Sequence, residues 1–230
     1  MTVATGQQVR IRAGAYAAVT TEVGGGLRAL THDGRPLDAA TGLTWSVAVA
    51  NLGDDSAPVG LGVHPYVVAP SGGVDDWTLT FDAARIQLAT ADRLMPTGIA
   101  DLPDADSFRR GRRLAGVTFD GAVSGLTLSE DGLRRASLTD DNGDGVEFRW
   151  GAIGNWLQLF TCDDLPGELQ RAAVAIEPQT CPPDAFNNGI DLAWVAPGES
   201  LELTVGIGAL TGRATGARSG RARGTAASSS

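Results

Sequence analysis

The chain has 230 residues, 43% of them hydrophobic, with 18 Lys+Arg against 27 Asp+Glu for a formal net charge of -9. That acidity argues against nucleic acid or an anionic membrane as the main partner, and this much apolar content excludes a chain disordered by composition. The 31 glycines and 11 prolines imply many turns and short elements, which favours a β-rich fold.

In chain order, residues 1–12 have no long apolar core, so they read as neither a signal peptide nor a membrane anchor. No stretch approaches the roughly 18 apolar residues of a bilayer span. Period-two alternation predicts strands at 15–23, 43–50, 59–68, 77–81, 114–119, 145–150, 156–162, 172–177 and 201–207. The pattern is clearest in Leu43-Thr44-Trp45-Ser46-Val47-Ala48-Val49-Ala50, and in Leu201, Leu203, Val205 and Ile207 alternating with Glu202, Thr204 and Gly206. Turn signals separate the runs: Asp33-Gly34, Gly53-Asp54-Asp55, Ser71-Gly72-Gly73 and Asp140-Asp141-Asn142-Gly143. No segment sustains a helical period. The fold class is all-β, a large twisted sandwich over residues 1–210. Residues 211–230, with Arg213, Arg218, Arg221 and Arg223 among Gly, Ala, Ser and Thr, read as a disordered, solvated tail.

Two segments carry candidate chemistry. Gly62-Val63-His64-Pro65-Tyr66 places one of two histidines at the end of an apolar run, and Ala175-Ile176-Glu177-Pro178-Gln179 places a lone glutamate at the end of another. Alternation puts Gly60 and Gly62 on the face of His64, and Ala173 and Ala175 on the face of Glu177. Both polar groups then stand on faces cleared of bulk, with open space expected above the glycines. The proline after each aims the side chain by fixing the backbone. Taken alone, His64 could pack on Tyr66 and bond a backbone carbonyl, and Glu177 could sit at an exposed strand end. Together, an imidazole and a carboxylate are the minimum equipment for moving a proton near neutrality. Tyr66, on the His64 face, is the aromatic expected beside a ligand. Trp45, Trp77, Trp150, Trp156 and Trp194 read mostly as core.

Other constellations are weaker. Asp140-Asp141-Asn142-Gly143-Asp144-Gly145 imitates the start of a calcium loop, but Gly151 occupies the twelfth position, where a bidentate Glu is required. It reads as a hairpin turn. Gly24-Gly25-Gly26 precedes no helical pattern, and no Gly-x-Ser-x-Gly occurs. Cys162 and Cys181 make neither a disulfide framework nor a metal spacing, which suits free thiols in the cytoplasm.

An ordered set of segments resembles the aldose 1-epimerase (galactose mutarotase-like) family. It comprises Glu22-Val23-Gly24-Gly25-Gly26-Leu27-Arg28, residues 62–66, Val74-Asp75-Asp76-Trp77-Thr78-Leu79, Asp92-Arg93-Leu94-Met95-Pro96-Thr97-Gly98, Trp156-Leu157-Gln158-Leu159-Phe160-Thr161 and residues 175–186. The resemblance implies a β-supersandwich that interconverts the α and β anomers of a free hexose, its monosaccharide substrate, without metal or other cofactor. It implies Glu177 as the base at the anomeric hydroxyl and His64 as the acid at the ring oxygen. Asp120, in Thr118-Phe119-Asp120-Gly121, falls where the family has an aspartate bonding sugar hydroxyls. The family also has a long block between the first hairpin and the strand near Leu43, with an Asn-Arg pair and a second histidine. Here Gly34-Arg35-Pro36-Leu37-Asp38-Ala39-Ala40-Thr41-Gly42 leads straight into that strand, and His32 in the early hairpin does not fill the place. The expectation is an incomplete sandwich with weakened catalysis; the alternative is a non-catalytic or degenerate carbohydrate-binding member. The sequence does not fix the oligomeric state.

Overall fold

The computed structural model describes the backbone of residues 8–13, 16–21, 27–32 and 35–36, and residues 42–212 in full. The glycine run at 24–26 lies outside the described residues, as does the expected tail from residue 213 onward.

Strands β1 (Gln8–Ala13), β2 (Tyr16–Thr21), β3 (Leu27–His32) and β4 (Arg35–Pro36) form an antiparallel meander in their own four-stranded sheet. The remaining strands are β5 (Leu43–Ala50), β6 (Ala57–Val59), β7 (Tyr66–Val67), β8 (Thr78–Phe81), β9 (Arg85–Ala89), β10 (Pro96–Asp101) and β11 (Arg112–Arg113). They continue as β12 (Asp120–Ser124), β13 (Arg134–Thr139), β14 (Gly145–Trp150), β15 (Trp156–Phe160), β16 (Val174–Gln179), β17 (Ala193–Val195) and β18 (Ser200–Leu210). The helices α1 (Ala105–Arg109) and α2 (Ala185–Asn188) are short. Two six-stranded antiparallel sheets result, ordered β10-β9-β12-β15-β16-β7 and β11-β8-β13-β14-β18-β5, with β17 and β6 paired beside them.

Alternation explains how the two large sheets meet. One face of the first presents Val123, Leu157, Leu159, Val174 and Ile176; one face of the second presents Leu79, Phe81, Leu138, Phe148, Trp150, Leu203 and Val205. All are buried and join in one apolar cluster, so the architecture is a β-sandwich. Burial of each large apolar side chain contributes on the order of 1.5–3 kcal/mol. Phe81, Phe108 and Phe119 close one end of the core, with Phe81 and Phe108 stacked at 4.7 Å. Among the described residues, no helix is long and apolar enough to cross a membrane.

The expected strand at 114–119 is a loop. Its alternation reflects Leu114 and Phe119 buried from a loop backbone, and two of its carbonyls, those of Leu114 and Val117, accept from Arg171 rather than from a neighbouring strand. The expected run at 59–68 is broken into β6, a single bridge at Gly62 and β7. The Asp140 region is the β13–β14 hairpin turn, its carboxylate accepting the amides of Asn142 and Asp144 and the Ser71 hydroxyl. Trp77 and Trp150 are core, Trp156 is buried on the opposite face of its sheet with its indole N–H donated to Asp191, Trp45 is half-buried, and Trp194 is exposed.

Candidate active site

The site lies on the outer face of the first sheet. Across its ladder Ala122, Gln158 and Glu177 stand directly opposite one another on β12, β15 and β16. One row away Asp120, Phe160, Ala175 and Tyr66 are likewise aligned across β12, β15, β16 and β7. Residues with even spacing share a face, so these seven side chains share the face opposite the core. Four of them are polar groups with chemistry: Asp120, Gln158, Glu177 and Tyr66.

His64 joins them from the segment between β6 and β7. That segment follows β16 through Thr180 N–H donating to the Leu61 carbonyl (2.8 Å), Val63 N–H to the Pro178 carbonyl (3.2 Å), and Ile176 N–H to the Pro65 carbonyl (3.2 Å). The result sets His64 Nε2 3.2 Å from Glu177 Oε1. The glycines do not leave open space, as the alternation suggested. A Cβ on Gly62 would stand 3.0 Å from Gln179 Cγ, and one on Gly60 2.5 Å from Cys181 Sγ. Their role is close approach: without side chains, they let the His64 segment lie against β16. The Tyr66 ring sits 4.9 Å from the imidazole, tilted by 36°.

The electrostatics follow from burial without compensating charge. Glu177 is buried, its side chain only 6% exposed against 54% for His64. Among the described residues, neither Glu177 nor Asp120 forms an ion pair with an arginine. Burial therefore lifts the Glu177 carboxyl to about 8; the Asp120 charge adds to the rise, and the Gln179 amide at 3.4 Å opposes it. Burial also lowers the His64 pKa, against a smaller upward effect from a backbone hydrogen bond. Asp120 is raised by burial and by Asp164, and partly relieved by the Gln158 Nε2 donor at 3.0 Å. At neutral pH the Glu177–His64 pair thus carries one proton between its two members, not two and not none.

Gln158 was not singled out by the sequence. Its Nε2 is spent on Asp120, while its Oε1 is buried with no hydrogen-bond partner among the described residues. An acceptor left so costs about 1–3 kcal/mol, which a donating ligand can recover. Alternation over 156–162 already put Gln158 on the face of Trp156 and Phe160. The missing information was the register that places it opposite Glu177.

A family model described as aldose 1-epimerase matches residues 34–208. The chain belongs to the aldose 1-epimerase family. Its similarity to the uncharacterized protein YihR of Escherichia coli (strain K12) is 28% identity over 172 residues, 74% of this chain and 53% of that protein. The chain thus spans about half the length of that curated relative. Among solved structures it resembles the GalM/aldose epimerase homologue from C. elegans, with a TM-score of 0.64 and 17% identity over 90% of this chain and 71% of the other. It also resembles galactose 1-epimerase from Lactobacillus acidophilus NCFM, with a TM-score of 0.59 and 18% identity over 90% and 67% of the respective chains. These likenesses establish the galactose mutarotase-like sandwich as the fold. Within this aldose 1-epimerase family member, His64, Glu177, Asp120 and Tyr66, expected together from sequence, do gather on or beside one sheet face.

Proposed function

We propose that the chain interconverts the α and β anomers of a free hexose by acid–base ring opening and closing. The observation that carries this reading is the 3.2 Å approach of His64 Nε2 to the buried carboxylate of Glu177. Ring opening needs one proton removed from the anomeric hydroxyl and one delivered to the ring oxygen. Burial favours the form with the shared proton on Glu177, and the reactive form is the one in which it has passed to His64. Glu177, then a carboxylate, takes the first proton; His64, then an imidazolium, gives the second, and the C1–O bond of the ring breaks. Rotation about the C1–C2 bond presents the other face of the aldehyde, and the two groups reverse roles as the ring closes. The pair needs one proton in total for this cycle, which is the count its burial sets near neutrality. Each proton transfer of this kind is worth on the order of 10²–10⁴ in rate.

Asp120 and the unpaired Oε1 of Gln158 would accept hydroxyl protons of the sugar, and Tyr66 would lie beside its ring. Partial exposure of His64 leaves the pair open to a small polar ligand. The free thiols of Cys162 and Cys181 accord with a cytoplasmic setting.

A second reading is a sugar-binding member without turnover, favoured by the direct run of Gly34-Arg35-Pro36-Leu37-Asp38-Ala39-Ala40-Thr41-Gly42 into β5 in place of the block with an Asn-Arg pair and a second histidine. Polarimetry of freshly dissolved α-D-glucose and α-D-galactose decides between them. Mutarotation above the spontaneous rate, lost in Glu177→Gln, is the expected result. A folded wild-type protein that binds sugar without accelerating the reaction would leave the binding reading.

A further inference from the structure

Asp120 begins strand β12 at the end of a six-residue loop, an insecure place for a group that must meet a ligand with a fixed direction. The backbone before it is nonetheless tied down by a chain of hydrogen bonds from outside the site. Phe119 N–H donates to Thr161 Oγ1 at 2.8 Å, and Thr161 N–H donates to the Phe119 carbonyl at 2.9 Å. Thr161, fully buried, gives its hydroxyl proton to Asp163. Asp163 also accepts from Thr118 Oγ1 at 3.2 Å and from Arg171 Nη1 at 2.5 Å. Arg171 in turn donates to the carbonyls of Val117 (3.0 Å) and Leu114 (2.9 Å) and to Asp75 (2.8 Å).

The polarity of this chain is consistent throughout: guanidinium to carboxylate, hydroxyl to carboxylate, amide to hydroxyl oxygen. The pairing needs it, because Cys162 is left-handed at φ 59° and turns the chain away just after Thr161. The carbonyl that would receive the Phe119 amide in a continued ladder is therefore absent, and the Thr161 hydroxyl replaces it. Arg171 is itself left-handed at φ 48°, with its N–H on the Cys162 carbonyl at 2.9 Å, so the clamp is closed on its own loop. A threonine, an aspartate and an arginine used this way fix one residue's backbone, and that residue precedes Asp120.

We infer that Thr161, Asp163 and Arg171 are positioning residues for Asp120, and set the sugar affinity of the site through it. This rests on the function proposed above, in which Asp120 meets the sugar. None of the three stands in the Glu177–His64 pair, so the effect falls on binding rather than on proton transfer. Loss of one such hydrogen bond corresponds to a rise in KM of about 2- to 10-fold, with kcat little changed.

The test is a double-mutant cycle with Thr161→Val and Arg171→Gln, each made alone and in an Asp120→Ala background. Each variant alone should raise KM for the hexose, and neither should raise it further once Asp120 is gone. A stability loss from either variant should be the same in both backgrounds, which separates positioning from mere support of the fold. Equal KM effects with and without Asp120 would overturn the inference, as would KM left unchanged by both variants. A sugar-independent readout is the ¹⁵N signal of the Gln158 side-chain amide, which donates to Asp120. In Thr161→Val or Arg171→Gln it should move toward its position in Asp120→Ala; a signal unmoved in both variants overturns the clamp. A protein that turns over no sugar defeats the proposed function, while the amide signal still decides the positioning.

Discussion

The outer faces of the two large sheets differ in what they do with carboxylates. On the second sheet Arg135 pairs with Asp131, and Glu147 with Arg149, at the surface. The hydrogen bond from Arg135 holds the Asp131 carboxyl down to about 2. On the first sheet Glu177 is buried beside an imidazole and the Gln179 amide, and its carboxyl is driven the other way, to about 8. Arginines are plentiful in this chain, yet among the described residues none is paired with Glu177 or Asp120. Surface pairs of the Asp131 kind contribute little to stability. A buried carboxylate without a cation costs stability but gains a proton affinity suited to chemistry near pH 7. Withholding a cation, more than adding any group, distinguishes the site from the rest of the sandwich.

The comparison is broken most sharply by giving Glu177 the cation it lacks. Gln179→Lys puts an ammonium where an amide now lies 3.4 Å from Glu177 Oε2. A neighbouring opposite charge lowers a carboxyl by about 1–3 pH units. The alkaline limb of the pH–rate profile should move down by that amount, and the rate at pH 8 should fall about tenfold or more. An unmoved limb would mean that Glu177 does not define it.

The next effect is on stability, and its sign follows from linkage. Glu177 has a folded-state value of about 8 against 4.5 unfolded, so the native state holds the proton more tightly. Its stabilising contribution is fully present below about 4.5 and is lost as pH rises to about 8. The stability of wild type should therefore fall relative to that of Glu177→Gln across this window, by about 1.4 kcal/mol per pH unit while the carboxyl stays protonated only in the folded state, and the Tm should fall with it. Parallel Tm curves for the two proteins would contradict the burial argument. The smallest effect belongs to the other sheet: Asp131→Asn should leave both sugar turnover and Tm indistinguishable from wild type, checked by polarimetry and a thermal melt.

Much of the fold was legible because the inner and outer faces of its strands differ. Leu43–Ala50 and Gly145–Trp150 were found with their observed bounds, since apolar residues alternate there with small or polar ones. Arg134–Thr139 was missed because an inward position is held by a buried arginine. Its guanidinium is satisfied by the carbonyls of Leu126, Gly151 and Ala152 and by Asn155 Oδ1, which a reading of apolar alternation cannot foresee. At the site, His64 and Glu177 stand out as rare polar groups ending apolar runs, which pairs them as acid and base, and the family resemblance supplies their separate roles. The glycines beside His64 were read for the space they leave, whereas the structure fills that space with Gln179 and Cys181. Gln158 was invisible because its importance comes from register across three strands, which local pattern does not encode.

The central claim is that Glu177 keeps its proton through neutral pH because it is buried without a cation. The direct measurement is a ¹³C carboxyl titration of glutamate-labelled protein, with Glu177→Gln identifying the signal. A midpoint near 8 is the predicted result. A midpoint at the ordinary glutamate value of about 4.3 would contradict the account, leaving Glu177 a permanently charged carboxylate with no proton to share with His64.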